Sequence, residues 1–180
     1  MKRLTLFRHG KSGWDSPVSR DFDRPINERG VRGSRLMGAQ ARALGVTWDH
    51  IVSSPAVRCT ETLDALWEGY GEILHPNWDR RVYLASGDSL LDVVQDLPDA
   101  ECDILICGHN PGMEELALML APDVKGDALR DEIEEKFPTA SMAFLELNVE
   151  HWADVKAGTA KITHFIRPRD LEAALGPDMD

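Results

Sequence analysis

The sequence predicts an α/β fold, a three-layer α/β/α sandwich with a mostly parallel central sheet. Short apolar runs alternate along the chain with longer segments of helical periodicity. This alternation is typical of strand–helix–strand units whose helices cover both faces of one sheet. The segment 103–107 (Asp-Ile-Leu-Ile-Cys) is the clearest buried strand. Sheets of this kind bind ligands beyond the carboxyl ends of their strands, so functional residues are expected there.

The remaining elements follow in order along the chain. Strands are expected at residues 4–7, 50–53, 73–75, 103–107, 143–149 and 160–167, the last two pairing through a turn near Gly158. Helices are expected at residues 27–44, 54–67, 87–95, 110–120 and 127–136. A polar loop over residues 11–24 separates the first strand from the first helix.

Local residue chemistry sets the limits of the first helix. Asn27 is a good N-cap, and Gly45 closes the helix because glycine readily adopts left-handed backbone. Gly30, Gly33 and Gly38 lie inside it, where each glycine costs up to about 1 kcal/mol relative to alanine. Close packing of this helix on the sheet would explain them.

Length and composition indicate a single domain spanning residues 1–180. Hydrophobic residues make up 43% of the chain and charged residues 28%, which is typical of a globular protein. No apolar run approaches the ~20 residues of a membrane span, and the apolar part of the N-terminus is too short for a signal peptide. We therefore expect a cytoplasmic protein with no membrane partner and, by default, a monomer.

The net charge of −11 is opposite in sign to that of typical nucleic-acid-binding proteins, so no nucleic-acid partner is expected. An acidic surface around a basic pocket would still admit a small phosphorylated group. Cys59, Cys102 and Cys107 form no CxxC pair, and we interpret them as reduced thiols. The histidines outside the strand ends show no metal-ligand spacing, so no metal or other cofactor is expected.

Three strand ends carry residues suited to phosphate chemistry. Arg8 and His9 follow the first strand, Arg58 lies in the first turn of the helix after the second, and His109 follows the clearest buried strand. Because the carboxyl ends of parallel strands meet at one edge of a sheet, these side chains are expected to converge. Arginine in the first turn of a helix is unfavourable against the helix dipole unless an anion is bound nearby.

Such a set of side chains can carry out phosphoryl transfer. A neutral imidazole is a competent nucleophile, and neighbouring guanidinium groups keep it neutral. Arginine binds phosphate oxygens through a planar fork that never loses its charge. A second histidine can donate a hydrogen bond to the transferred group. Backbone N–H groups at helix starts, near Ser54 and Asn110, add affinity for an anion.

Three sequence blocks resemble the histidine phosphatase superfamily, also called the phosphoglycerate-mutase-like superfamily. They are LFRHGKS, SSPAVRCTET and CGHNPG, and their order and spacing match those of the family. The short chain, the segment DRPINERG and the sequence GHNPG resemble its SixA-like branch, the phosphohistidine phosphatases. The resemblance implies a phosphoglycerate-mutase-like fold and a metal-independent phosphatase.

The same resemblance assigns roles to individual residues. His9 would be the phosphorylated nucleophile, and Arg8, Arg58 and His109 would complete the phosphate pocket. Ser12 and Arg24 would be accessory contacts, and Asn110 would bind phosphate or substrate. Substrate would transfer its phosphoryl group to His9, and water would then hydrolyse phospho-His9.

One departure from larger members of the superfamily bears on the substrate. Those members carry a carboxylic acid that protonates an alcohol leaving group, and the corresponding stretch here, residues 84–88, holds only Asp88. Phosphohistidine can lose a neutral imidazole once its ring is protonated, whereas an alkoxide needs a proton donor. A phosphorylated protein is therefore the expected partner. A small phosphomonoester metabolite, with Asp88 as the acid, and a non-catalytic phosphate-binding module remain as alternatives.

Overall fold

A computed structural model describes residues 1–14 and 17–176 of the chain. Its centre is a six-stranded sheet in the order β3-β2-β4-β1-β5-β6. The strands are β1 (Lys2–Arg8), β2 (His50–Ser53), β3 (Asn77–Trp78), β4 (Asp103–Gly108), β5 (Met142–Leu147) and β6 (Ala160–Ile166). The α-helices are α1 (Glu28–Ala43), α2 (Val57–Tyr70), α3 (Gly87–Gln95), α4 (Gly112–Leu120), α5 (Ala128–Glu135) and α6 (Pro168–Leu171).

The sheet is mixed but mostly parallel, as predicted. Strands β1, β2, β3 and β4 pair in parallel, whereas β5 pairs antiparallel with both β1 and β6. The parallel register of β1 and β4 pairs Arg8 with Gly108, so both strands end at the same edge. On β2, Ser53 pairs with Cys107, and the chain leaves the sheet at that edge towards α2.

Helices cover both faces of the sheet, which confirms the three-layer prediction. On β4, Ile104 and Ile106 belong to a core formed with α3, α4 and α5. The alternate residues, Leu105 and Cys107, belong to the opposite core, formed with α1 and α2. Successive side chains of a strand point to opposite faces, so an unbroken apolar run is what a strand between two helical layers requires.

Two predicted elements are displaced along the chain, and the helix expected at residues 54–67 spans Val57–Tyr70. The helix expected from residue 54 begins at Val57, because the Ser54 N–H still bonds to the Cys107 carbonyl, at 3.0 Å, and continues the sheet. The strand expected at residues 73–75 is instead the two-residue β3, Asn77–Trp78. Both residues of β3 are exposed, so no burial pattern marks them in the sequence.

The first helix has the limits that its capping residues predict. The Asn27 side chain accepts the Gly30 N–H, and Gly45 adopts φ 72° just past the end of α1. Among residues 1–14 and 17–176, no helix has both the length and the apolar composition that crossing a membrane requires.

Glycines allow α1 and α2 to lie close against each other. A Cβ on Gly38 would overlap the Leu66 carbonyl oxygen, and a Cβ on Gly69 would overlap the Arg35 carbonyl oxygen. Each helix therefore presents a glycine to the backbone of the other. The expected packing on the sheet is wrong for Gly38, because its neighbour is a helix.

We expect Gly38→Ala to destabilise the fold by about 1–3 kcal/mol, because overpacking forces the two backbones apart. Gly33→Ala, in the same helix, is the matched control. Its Cβ would lie 3.4 Å from Pro168 Cγ, an ordinary contact, and helix propensity favours alanine by up to about 1 kcal/mol. Urea unfolding measures both variants. Equal destabilisation by the two would contradict this account of Gly38.

Candidate active site

The backbone of the loop after β1 is held on three sides by hydrogen bonds. The His9 N–H donates to the Gly108 carbonyl at 3.0 Å, and the His9 carbonyl accepts the Ala140 N–H at 2.9 Å. The Gly10 N–H donates to Thr62 Oγ1 at 2.8 Å. Strand β4, the segment before β5 and helix α2 therefore all hold the backbone around His9.

Two glycines let this loop lie directly on the first turn of α1. A Cβ on Gly10 would lie 2.8 Å from the Gly30 carbonyl oxygen, and a Cβ on Gly30 would overlap the Lys11 carbonyl oxygen. That same Lys11 oxygen accepts the Asn27 N–H at 2.9 Å. No larger residue fits at either glycine unless the loop moves, so both are required for the position of His9.

The His9 ring is held in one tautomer. Its Nδ1 lies 2.8 Å from the Gly10 carbonyl oxygen. Because a carbonyl oxygen only accepts, Nδ1 carries the proton and Nε2 keeps its lone pair. Burial lowers the pKa of His9 well below 6.5, and the charges of His109, Arg8 and Arg58 lower it further, against the opposing effect of the bond to Gly10. The ring is therefore neutral at neutral pH, with a lone pair available on Nε2.

We expect the His9 ring to stay neutral as the pH falls through 6.5, because its folded pKa lies well below that value. Long-range proton–nitrogen spectra of protein with labelled histidine, assigned with His9→Gln, measure this directly. The same protein unfolded in urea is the control, in which His9 takes up its proton near pH 6.5. A folded His9 that titrates at or above 6.5 would contradict the prediction.

His109 follows β4, and its ring centroid lies 5.3 Å from that of His9. Its Nε2 lies 2.8 Å from the Ser54 hydroxyl oxygen, which already accepts the Ala56 N–H. The hydroxyl can donate its proton to Nε2, and in that arrangement the ring proton lies on Nδ1. Within the described part of the chain this buried Nδ1 has no hydrogen-bond partner. A buried ring nitrogen without a partner, beside the His9 ring, is a place where a ligand atom can bind.

Arg58 is buried in the first turn of α2, with 3% of its side chain exposed. Its two terminal nitrogens donate to the backbone carbonyl of Asp21, at 2.8 Å, and to Asp21 Oδ2, at 2.9 Å. The Tyr83 hydroxyl donates to the same Oδ2 at 2.7 Å, and Arg24 donates to Oδ1 at 3.0 Å. A guanidinium has five N–H donors, so these bonds orient Arg58 and leave donors for an anion.

Asp21 is ionised at neutral pH. Partial burial raises its pKa, but hydrogen bonds from Tyr83, Arg24 and Arg58 outweigh that effect and lower the pKa to about 2. The carboxylate therefore holds two arginines and a tyrosine together. With so low a pKa, it cannot supply a proton to a leaving group near pH 7.

The folded pKa of Asp21 is below its ordinary value of 3.8, so its contribution to stability is present above about pH 4 and lost towards pH 2. We expect Asp21→Asn to be less stable than wild type at neutral pH, with the difference shrinking as the pH falls through this window. Urea unfolding at a series of pH values measures it. Asp64→Asn, an exposed residue of α2, is the control, and the same pH dependence in both variants would contradict the prediction.

One backbone carbonyl orients two further side chains of the site. Arg8 Nη1 and Asn110 Nδ2 both donate to the Phe137 carbonyl oxygen, each at 2.9 Å. Asn110 Oδ1 accepts the Glu114 N–H at 3.2 Å, near the start of α4. The segment after α5 therefore positions one residue from each of the strand ends β1 and β4.

The two accessory residues, Ser12 and Arg24, have structural partners. Ser12 Oγ donates to the Pro25 carbonyl at 2.6 Å. The Arg24 guanidinium carbon lies 3.5 Å from the ring centroid of Trp14, in addition to its bond with Asp21. Both side chains therefore brace the loop between β1 and α1.

A cleft of about 520 Å³ opens over these side chains. It brings together every residue predicted for catalysis or phosphate binding, namely Arg8, His9, Ser12, Arg24, Arg58, His109 and Asn110. Asp88 does not line it and is exposed in the first turn of α3. Among residues 1–14 and 17–176, Asp21 is the one acidic residue in the lining, and no cluster of side chains there could hold a metal ion.

Sequence reasoning missed Asp21, Tyr83 and Thr62. The first two lie in irregular segments, where spacing gives no signal. The sequence did carry a signal for Thr62, because this residue lies four positions after Arg58 on the same helix face. Its hydroxyl donates to the Arg58 carbonyl at 2.5 Å and accepts the Gly10 N–H, which links the two strand ends.

Comparison with known proteins agrees with the family resemblance of the three sequence blocks. The profile of the Histidine phosphatase superfamily (branch 1) matches residues 4–81, a segment that includes Arg8, His9 and Arg58 but not His109. An uncharacterized protein of Mycobacterium tuberculosis is 33% identical over 163 residues, which cover 90% of this chain and 99% of the relative.

Two solved structures share the whole fold. The proposed phosphohistidine phosphatase SixA of Agrobacterium tumefaciens is 26% identical, with a TM-score of 0.76 over 93% of this chain and 98% of that one. The proposed phosphohistidine phosphatase SixA of Nakamurella multipartitia is 25% identical, with a TM-score of 0.81 over 93% and 96% of the two chains.

Proposed function

Since the chain belongs to the histidine phosphatase superfamily, we propose that it is a phosphatase that hydrolyses phosphohistidine in proteins through a phosphoryl group carried on His9. The hydrogen bond from His9 Nδ1 to the Gly10 carbonyl carries this proposal. It leaves the lone pair on Nε2, in a ring that burial keeps neutral. The nucleophile is therefore ready without a separate base.

In the first step, the Nε2 lone pair of His9 attacks the phosphorus of the substrate. The substrate ring is protonated on its other nitrogen. A bond from Nε2 to phosphorus forms as the bond from phosphorus to this substrate ring breaks, the electron pair stays on the substrate nitrogen, and a neutral imidazole leaves. Negative charge on the three equatorial oxygens is balanced by Arg8 and Arg58, with a further hydrogen bond from His109 Nδ1. Positioning of the reacting groups and stabilisation of the developing charge supply most of the catalysis in such phosphoryl transfers.

In the second step, water attacks the phosphorus of phospho-His9. The bond to Nε2 breaks, inorganic phosphate leaves, and the electron pair returns to the ring. The protons of the water end on phosphate and bulk solvent. The proton on Nδ1 stays in place through both steps because the Gly10 carbonyl continues to accept it.

The chemistry of the cleft supports phosphohistidine as the substrate. The carboxylate in its lining, Asp21, is ionised and bound to Arg24 and Arg58. A leaving group that departs as neutral imidazole needs no acid at that point, whereas an alkoxide does. The SixA structures from Agrobacterium and Nakamurella, which are themselves proposed phosphohistidine phosphatases, support the same choice.

We expect the protein to release phosphate from a phosphohistidine-containing protein in the presence of a chelator. His9→Ala should lower the rate by at least about a thousandfold, because the covalent route is lost. His75→Ala, an exposed histidine outside the cleft, is the matched control. Rapid quenching with labelled substrate should trap an acid-labile phosphoryl group on wild type and not on His9→Ala.

Several outcomes separate the candidate functions. Full activity in His9→Ala, or a requirement for metal, would refute the mechanism. Equal or faster turnover of alkyl phosphates would favour a small phosphomonoester as the substrate. Binding of phosphohistidine without turnover would make the protein a phosphate-binding module.

A further inference from the structure

We propose that a second basic pocket beside the cleft binds a carboxylate of the same substrate, so that the preferred substrate is a phosphohistidine flanked by an acidic residue. This inference rests on the proposed function. It concerns the five cations that line the pocket: Lys11, Arg29, Lys136, Arg167 and Arg169. We call it the basic pocket.

The basic pocket is built from four parts of the chain that the fold brings together. Lys11 follows the nucleophile loop, Arg29 lies in the first turn of α1, and Lys136 follows α5. Arg167 and Arg169 flank the first residue of α6. Its remaining lining is largely apolar, with Pro138, Ala140, Pro168 and Leu175 among the residues.

The basic pocket and the cleft share a wall. Lys11 and Thr139 line both of them. The residue after Thr139, Ala140, donates its N–H to the Arg8 and His9 carbonyls, at 3.0 and 2.9 Å. A substrate that places phosphorus at His9 therefore has its neighbouring groups close to the basic pocket.

The charge of the basic pocket is unusual for this chain. The protein carries a net charge of −11, yet none of the described residues lining this pocket is acidic. Asp170 balances Arg167 through a bidentate ion pair, and Glu132 and Glu135 also act on Arg167 from α5.

The partner of Arg29 carries no net charge. Arg29 Nη1 donates to the Ala174 carbonyl at 3.3 Å, which leaves the positive charge of the guanidinium unbalanced by that bond. Its place in the first turn of α1 is also unfavourable against the helix dipole. A bound anion would offset both effects.

The size of the basic pocket limits its ligand. Its volume is about 30 Å³, against about 520 Å³ for the cleft. One water molecule needs about 10–15 Å³, so the end of a carboxylate side chain fits and a bulky group does not. The phosphoryl group is thus expected in the cleft and the carboxylate in the basic pocket.

The exposed rim of the cleft favours a polypeptide as the carrier of both groups. Trp14 and Leu84 line the cleft with 80% and 56% of their surfaces exposed. Large apolar side chains beside a charged site are typical of surfaces that bind protein segments. The carboxylate is therefore that of a glutamate or aspartate near the phosphohistidine.

A peptide series tests the inference. Phosphohistidine peptides carry glutamate at one position at a time on either side of the phosphohistidine, and each is paired with a peptide that has glutamine there. At low salt we expect kcat/KM to favour glutamate by about threefold to tenfold at one or two positions, the size of one or two solvent-accessible ion pairs. High salt should weaken this preference.

Two variants test whether the glutamate preference arises in the basic pocket. In the double variant Arg29→Gln, Arg169→Gln, the ratio of kcat/KM for the glutamate and glutamine peptides should fall towards one. Arg35→Gln, in α1 and paired with Glu68 away from the basic pocket, should keep the wild-type ratio. Because each ratio compares two substrates on one protein, loss of folded protein does not change it.

The outcomes are distinct from those of the proposed function. If both peptides of each pair are turned over and the ratio of their kcat/KM values is near one at every position, this inference alone is overturned. A glutamate preference that survives in the double variant also overturns it. Turnover of neither peptide overturns the proposed function, and this inference with it.

Discussion

The parallel pairing of β1 with β4 is the constraint on which the site depends. Its register places Arg8 opposite Gly108, and the next hydrogen bond, from the His9 N–H to the Gly108 carbonyl, brings the two histidines side by side. Because the strands are buried between two helical layers, this register cannot slip without moving every core side chain to the other face. The two rings are thus held at their separation by the whole core.

Around that pair, the site balances positive charge with a few directed contacts. Three arginines line the cleft, and their mutual repulsion would disfavour close packing without an anion. Asp21 offsets part of it by bonding Arg24 and Arg58, while carbonyl oxygens orient Arg8 and the His9 ring. Carbonyl oxygens orient these groups without neutralising them, which preserves a positive potential suited to an anion.

Close backbone contacts also connect the cleft residues to the helices that cover the sheet. Glycines at 10 and 30 let the loop after β1 lie on α1, and Thr62 joins that loop to the helix that holds Arg58. The position of His9 is therefore set by helices as well as strands. The same segment that orients Arg8 also forms the wall between the cleft and the basic pocket.

The sequence alone determined the features that depend on local chemistry. Its apolar runs and capping residues such as Asn27 located most strands and helices, and the polar residues at three strand ends located the cleft. Tertiary structure decided the rest. Asp21, far from Arg58 in sequence, reaches it only because the loop folds back over α2, and β3 exists only through pairing with β2. Such contacts join residues distant along the chain, and neither periodicity nor spacing records them.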